Sequence, residues 1–201
     1  MSPSRGRFAA LVGVLLSVLA TGCGSVSGFR SGTTMPSLAG YSRVVVNDFT
    51  NQAHFPGTDP AKRQGYEDQL AIAGRTFADW IAAELRTTGA FAEVSRTPIE
   101  DKAAVVSGII TRYHEGSAAM RFLVGLGAGS SYFDADVMVT DGQDRHTIGT
   151  FLVDKNSWFL GGGVAATQTP ETFMRGAAKK IAKDLAAATR RPAPGTLVAE
   201  R

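Results

Sequence analysis

Asp134 and Asp136 are the residues best spaced for chemistry: two apart on a strand, their side chains leave the same side about 7 Å from one another. Such a pair can hold a cation or share a proton, and with a histidine brought near it would serve a hydrolytic reaction. The same spacing also describes an ordinary solvated strand face. The three histidines, His54, His114 and His146, lie far apart and show no H-x-x-x-H spacing, so no metal site is expected. There is no Gly-x-Ser-x-Gly elbow. Gly125-x-Gly127-x-Gly129 lacks both the Lys-Ser/Thr ending of a phosphate loop and the spacing of a dinucleotide fingerprint, so neither a nucleotide nor another cofactor is expected. The most reactive side chain is the single cysteine, Cys23, which has no second cysteine to pair with. In an oxidising compartment a lone thiol is a hazard, whereas a thioether-linked lipid uses the sulfur.

What precedes Cys23 supports lipidation. Arg5 and Arg7 lead an apolar run from Phe8 to Ala20, followed at once by small residues, which is the order of an export signal. The run falls short of the about 20 residues that a spanning helix needs. Leu19-Ala20-Thr21-Gly22-Cys23 resembles the lipobox of bacterial lipoproteins, with Leu19 one place ahead of the family's usual leucine and Ala20 in its position. The resemblance implies cleavage before Cys23 and acyl chains on it, a firm anchor at roughly 0.8 kcal/mol per buried methylene. Gly24 in place of Asp implies, by the Gram-negative sorting rule, release to the outer membrane with the domain facing the periplasm.

Residues 1–22 are thus expected to leave as a signal peptide, and 23–40, rich in Gly and Ser, to form a flexible tether. The whole chain holds 21 Lys and Arg against 18 Asp and Glu, and loss of Arg5 and Arg7 with the signal leaves the charges nearly balanced. Lys179, Lys180, Lys183, Arg190 and Arg191 are the only local basic cluster. Nucleic-acid binding has little electrostatic support, and a solvated helix face explains the cluster.

The elements follow from periodicity. Val44-Val45-Val46 marks a well-covered strand within residues 42–49. Asp59-Pro60 caps a helix whose Leu70, Ala73, Phe77, Ile81 and Leu85 form one apolar stripe until Gly89 stops it, with Gly65 and Gly74 weakening it locally. Short and longer strands are expected near 90–95 and 103–113. Phe133, Ala135, Val137 and Val139 alternate with polar neighbours, and Asp141-Gly142-Gln143-Asp144 turns the chain back into a partner strand at 146–154. Thr169-Pro170 opens a last helix with Phe173, Ala177, Ile181 and Leu185 on one face; residues 190–201 read as a frayed tail. Residues 41–189 therefore form one α+β domain, expected as a mainly antiparallel sheet of four to five strands with two helices on one face.

Val44-Val45-Val46-Asn47-Asp48-Phe49, Ser107-Gly108-Ile109-Ile110 with Tyr113, Gly125 to Gly129 and the closing amphipathic helix together resemble a bacterial lipoprotein family known only as a domain of unknown function. That family is distantly similar to curli-secretion-channel-like and TolB amino-terminal-like periplasmic domains. The resemblance implies envelope work through protein contacts and carries over no catalytic residue. Two glycine-rich stretches, residues 120–131 and the run Trp158-Phe159-Leu160-Gly161-Gly162-Gly163, are either close-packed or partner-binding. Trp158, Phe159 and Leu160 are the expected contact residues for a protein partner or a second copy. Pore formation, with residues 120–131 or 158–166 extended into strands, ranks last, since a spanning strand needs about 9–11 residues of alternating character.

Overall fold

In a computed structural model the chain is described over residues 24–116, 129–156 and 168–192. Its elements are β1 (Gly24–Val26), β2 (Arg43–Val46), β3 (Thr50–Asn51), α1 (Pro60–Thr88), β4 (Glu93–Ser95), β5 (Ala104–His114), β6 (Tyr132–Asp141), β7 (Thr147–Asn156) and α2 (Pro170–Ala188). Both helices begin, and α1 ends, where their caps lie in the sequence. Asp59 accepts the Ala61 amide at 3.0 Å, Pro60 occupies the first turn, and Gly89 closes α1 with a left-handed φ of 61°. Thr169 accepts the Thr172 amide at 3.3 Å ahead of Pro170. The apolar stripes of α1 and α2 are buried, with Phe77, Ile81, Leu85, Ile181 and Leu185 wholly shielded. Among the described residues no helix is long and apolar enough to cross a membrane.

One mixed sheet of seven strands runs in the order β1-β7-β6-β5-β2-β4, with β3 also on β5. The β6–β7 hairpin is as the alternation and the Asp-Gly turn require. The expectation of four to five mainly antiparallel strands is corrected: β2 pairs in parallel with both β4 and β5, and β3 runs parallel to β5. The physical reason is in Val44-Val45-Val46, all buried, an unbroken apolar run of the kind that parallel strands covered on both sides require. Helix α1 is the crossover that makes the parallel return possible.

The expected tether is also corrected. From Gly24 the chain is a strand on the β7 edge, Phe29 is 2% exposed and stacks on Phe151 with ring centroids 5.1 Å apart, and Leu38 is fully buried with its amide on the Ala188 carbonyl. Two apolar anchors pull a Gly- and Ser-rich stretch onto the domain. Phe29 fits because Gly149 has no side chain: a Cβ there would lie 2.6 Å from the Phe29 ring. Gly74 has a similar use, since a Cβ on it would meet the Phe49 carbonyl oxygen at 2.3 Å. The glycine read as a weak point of α1 is what lets the helix touch the link between β2 and β3.

Inward residues of β5, β6 and β7 meet both helices in a single core, in which Phe77 contacts Phe49 and Phe133 at centroid distances of 4.8 and 5.0 Å. The opposite face of the sheet carries no helix among the described residues.

Candidate functional site

Period-two alternation sends every second side chain of β5, β6 and β7 away from the helices. The register aligns them in rows: Ser107, Met138 and Thr150 in one, Ile109, Asp136 and Leu152 in the next, Arg112, Asp134 and Asp154 in the last. Met138 and Leu152 are 42% and 61% exposed, large apolar side chains on an otherwise solvated face. At one corner the segment after β4 folds over the sheet, pinned by Arg96, which pairs with Asp48 and Asp79 and donates to the Val46 carbonyl. Beside it lies an open cleft of about 460 Å³ lined by Asn47, Ile99, Met138, Asp141 and Arg145.

Asp141, buried at the hairpin turn, accepts from the Tyr41 hydroxyl at 2.6 Å and the Gln143 amide at 2.7 Å. Those bonds hold its carboxyl below the usual carboxylate range, while burial and the same carboxylate push the Tyr41 hydroxyl up. Asp144 accepts the His146 amide, and its carboxylate contacts the His146 ring at 2.5 Å. Asp141, Asp144 and His146 bring one ligand atom each within 4.8 Å, a grouping that His spacing alone did not reveal. All three already have partners within the turn, and the arrangement reads as hairpin chemistry.

Asp134 and Asp136 do share the face opposite the helices. Asp134 accepts the Lys155 amide at 3.2 Å and pairs with Arg112 at 3.4 Å; its burial raises its pKa against the pull of that arginine, and Asp154 across the strand adds to the rise. Among the described residues no histidine bonds to either carboxylate, so the geometry a hydrolytic pair needs is not assembled there. The structure brings together two histidines that the sequence left apart. His54 and His114 line one cleft of about 220 Å³ with Tyr66, Arg112 and Tyr132; Arg112 lies 4.1 Å over the Tyr132 ring, and the rings of His114 and Tyr132 are 6.4 Å apart. His146 sits at the other end of the sheet. No signal in the sequence could have shown this, because the loop bearing His54 reaches β5 only through the parallel pairing of β3.

Cys23, Trp158, Phe159 and Leu160 lie outside the described residues, as does most of 120–131. In the basic cluster Lys180 pairs with Asp184, and Arg191 donates to the Pro36 carbonyl at 3.2 Å.

No curated protein matches the chain. The fold is similar to that of the PelC dodecamer from Paraburkholderia phytofirmans, at 17% identity and a TM-score of 0.54 over 81% of this chain and 97% of that one. A point variant of the same PelC dodecamer gives 18% and 0.52 over 81% and 96%. At these identities the likeness is one of fold. A family model described as a domain of unknown function, DUF4410, matches residues 44–161, more than half of the sequence, and the chain belongs to that family.

Proposed function

We propose that this protein is a lipid-anchored envelope lipoprotein, held at the outer membrane by acyl chains on Cys23 and facing the periplasm, that works by binding protein, first of all copies of itself, and not by catalysis. The observation that carries this reading is the sheet face that bears no helix among the described residues, with Met138 and Leu152 exposed on it. Large apolar side chains exposed in neighbouring rows of one sheet face suit a partner surface, since burying them contributes roughly 25 cal/mol per Å². The PelC likeness supports self-association, because the similar structures are dodecamers. The signal segment and lipobox support the anchor.

The test is the mass in solution of the mature chain, by light scattering, beside a Met138→Asp, Leu152→Asp double variant. The wild type is expected as an oligomer and the variant as a folded monomer with an unchanged circular dichroism spectrum. A monomeric wild type, or a variant of unchanged size, defeats the reading. Mass analysis of the mature N-terminus tests the anchor separately.

A further inference from the structure

The residue proposed to carry the lipid is joined directly to the sheet. Gly24 already pairs with Lys155 across β1 and β7, so the Cα of Cys23 is about 3.8 Å from a residue fixed in the fold. A free stretch over 24–40 would have let the domain drift about 55 Å from its lipid, at 3.3 Å or so per extended residue. That slack is gone. The strand is followed by Ser27, whose amide donates to the Leu152 carbonyl at 2.9 Å, by the reciprocal bonds of Arg30 with Thr150, and by buried Phe29.

The direction of β1 decides which part of the domain meets the bilayer. It runs antiparallel to β7, so the chain enters the domain at the end of the sheet where Gly24, Lys155, Phe133 and Tyr113 stand in line. Also at this end lies the cleft of His54, Arg112, His114 and Tyr132, and the first turns of α1, through the Tyr66 hydroxyl on the Tyr113 carbonyl at 2.9 Å. Helix α2 starts here too, since Ser131 bonds both the Glu115 and Gln168 carbonyls at 2.8 Å. Exposed imidazoles and Arg112 stacked over Tyr132 are amphipathic groups of the kind that suit headgroup depth, and half-buried Phe55 adds an apolar ring beside them. The opposite end, with the Asp141 turn and Arg190, is removed by the length of β6, about 30 Å for its ten residues.

We infer that the domain stands on the bilayer in one orientation, with the end bearing His54, Arg112, His114 and Tyr132 against the lipid headgroups and the Asp141 end pointing away. This rests on the lipid-anchor reading of Cys23. The occupant of this end is the headgroup layer that holds the protein's own acyl chains.

The experiment uses the full chain, processed in its host and reconstituted in phosphatidylethanolamine–phosphatidylglycerol vesicles that carry nitroxide on their headgroups. A thiol-reactive fluorophore is placed by His54→Cys in one variant and by Arg190→Cys in another; the thioether at residue 23 leaves the wild type without a reactive thiol. Expected are no dye on the wild type and quenching several-fold stronger at position 54 than at 190. Equal quenching at the two positions, or the reverse order, on a wild type that takes no dye overturns the orientation and leaves the anchor standing. A wild type that takes dye at Cys23 and leaves the vesicles overturns both.

Discussion

Phe29→Ala should release the N-terminal strand without unfolding the domain. The ring is 2% exposed, stacked on Phe151, and seated over Gly149, which offers no side chain to refill the space. A buried Phe→Ala change costs about 3–5 kcal/mol, and the upper part of that range applies where surroundings cannot collapse. Against it, β1 has three residues on a sheet edge. Each backbone bond there contributes a net of about 0.5–1.5 kcal/mol while ordering a residue costs about 1–2 kcal/mol, so the ladder alone does not hold the segment. Leu38, bonded to Ala188 at the other end of the domain, keeps the rest of the chain docked. The assay is hydrogen exchange at the amides of Thr150 and Leu152, which donate to the Arg30 carbonyl and the Ser27 hydroxyl. A 3 kcal/mol loss lowers their protection by roughly two orders of magnitude at 1.36 kcal/mol per factor of ten. Inner amides of β6 should keep theirs. Unchanged protection at both residues, or equal loss throughout β5 and β6, would refute the idea that Phe29 alone pins a separable segment.

Gly65→Ala and Gly74→Ala should differ in sign in urea melts. No neighbour stands within 4 Å of a Cβ at Gly65, so alanine adds up to about 1 kcal/mol of helix propensity, whereas at Gly74 the 2.3 Å approach to the Phe49 carbonyl makes the same change destabilising. Stabilisation at both sites would mean that α1 does not touch the backbone at Phe49. Tyr41→Phe removes the bond that holds the Asp141 carboxyl low, at a cost of about 1.5–3 kcal/mol at pH 7 for a hydrogen bond to a charged group. Because the folded carboxyl titrates below its unfolded value near 3.9, the stabilisation is present above about pH 4 and is lost as pH falls through the folded value. Wild type and variant should therefore converge in stability under acid, and a gap independent of pH would count against the assignment.

The parts of the fold that were legible are those in which local chemistry alone decides. Asp59-Pro60, Thr169-Pro170 and Gly89 fix helix ends within a few residues, and Phe133 to Val139 alternate because one side of β6 meets α1 and α2. Strand direction is not local. Val44-Val45-Val46 announces cover on both sides, yet the parallel partners at Glu93 and Ala104 follow from α1 carrying the chain across the sheet. The docking of residues 24–38 was hidden because Phe29 and Leu38 are isolated among Gly, Ser and Thr, and composition outweighs two anchors in any window. Of the candidate site, the face of Asp134 and Asp136 was readable from period two. Its apolar members Met138 and Leu152 were not singled out, since exposure depends on what fails to pack over them.

The headgroup end and the sheet face opposite the helices lie at right angles, and this links the two readings. β5, β6 and β7 run from the Gly24 end to the Asp141 end, so a domain standing on the first turns Met138 and Leu152 sideways, along the bilayer and not into it. Copies anchored on one membrane then meet face on with their tilt already fixed, and less orientational freedom is left to lose on association. The consequence is asymmetric. Leu152→Asp should abolish assembly and leave the quenching difference between positions 54 and 190 intact, whereas Phe29→Ala should erase that difference and weaken assembly with it, although Phe29 lies in the core away from the exposed face. An assembly that survives Phe29→Ala at full strength would show that the association surface does not depend on how the domain is held.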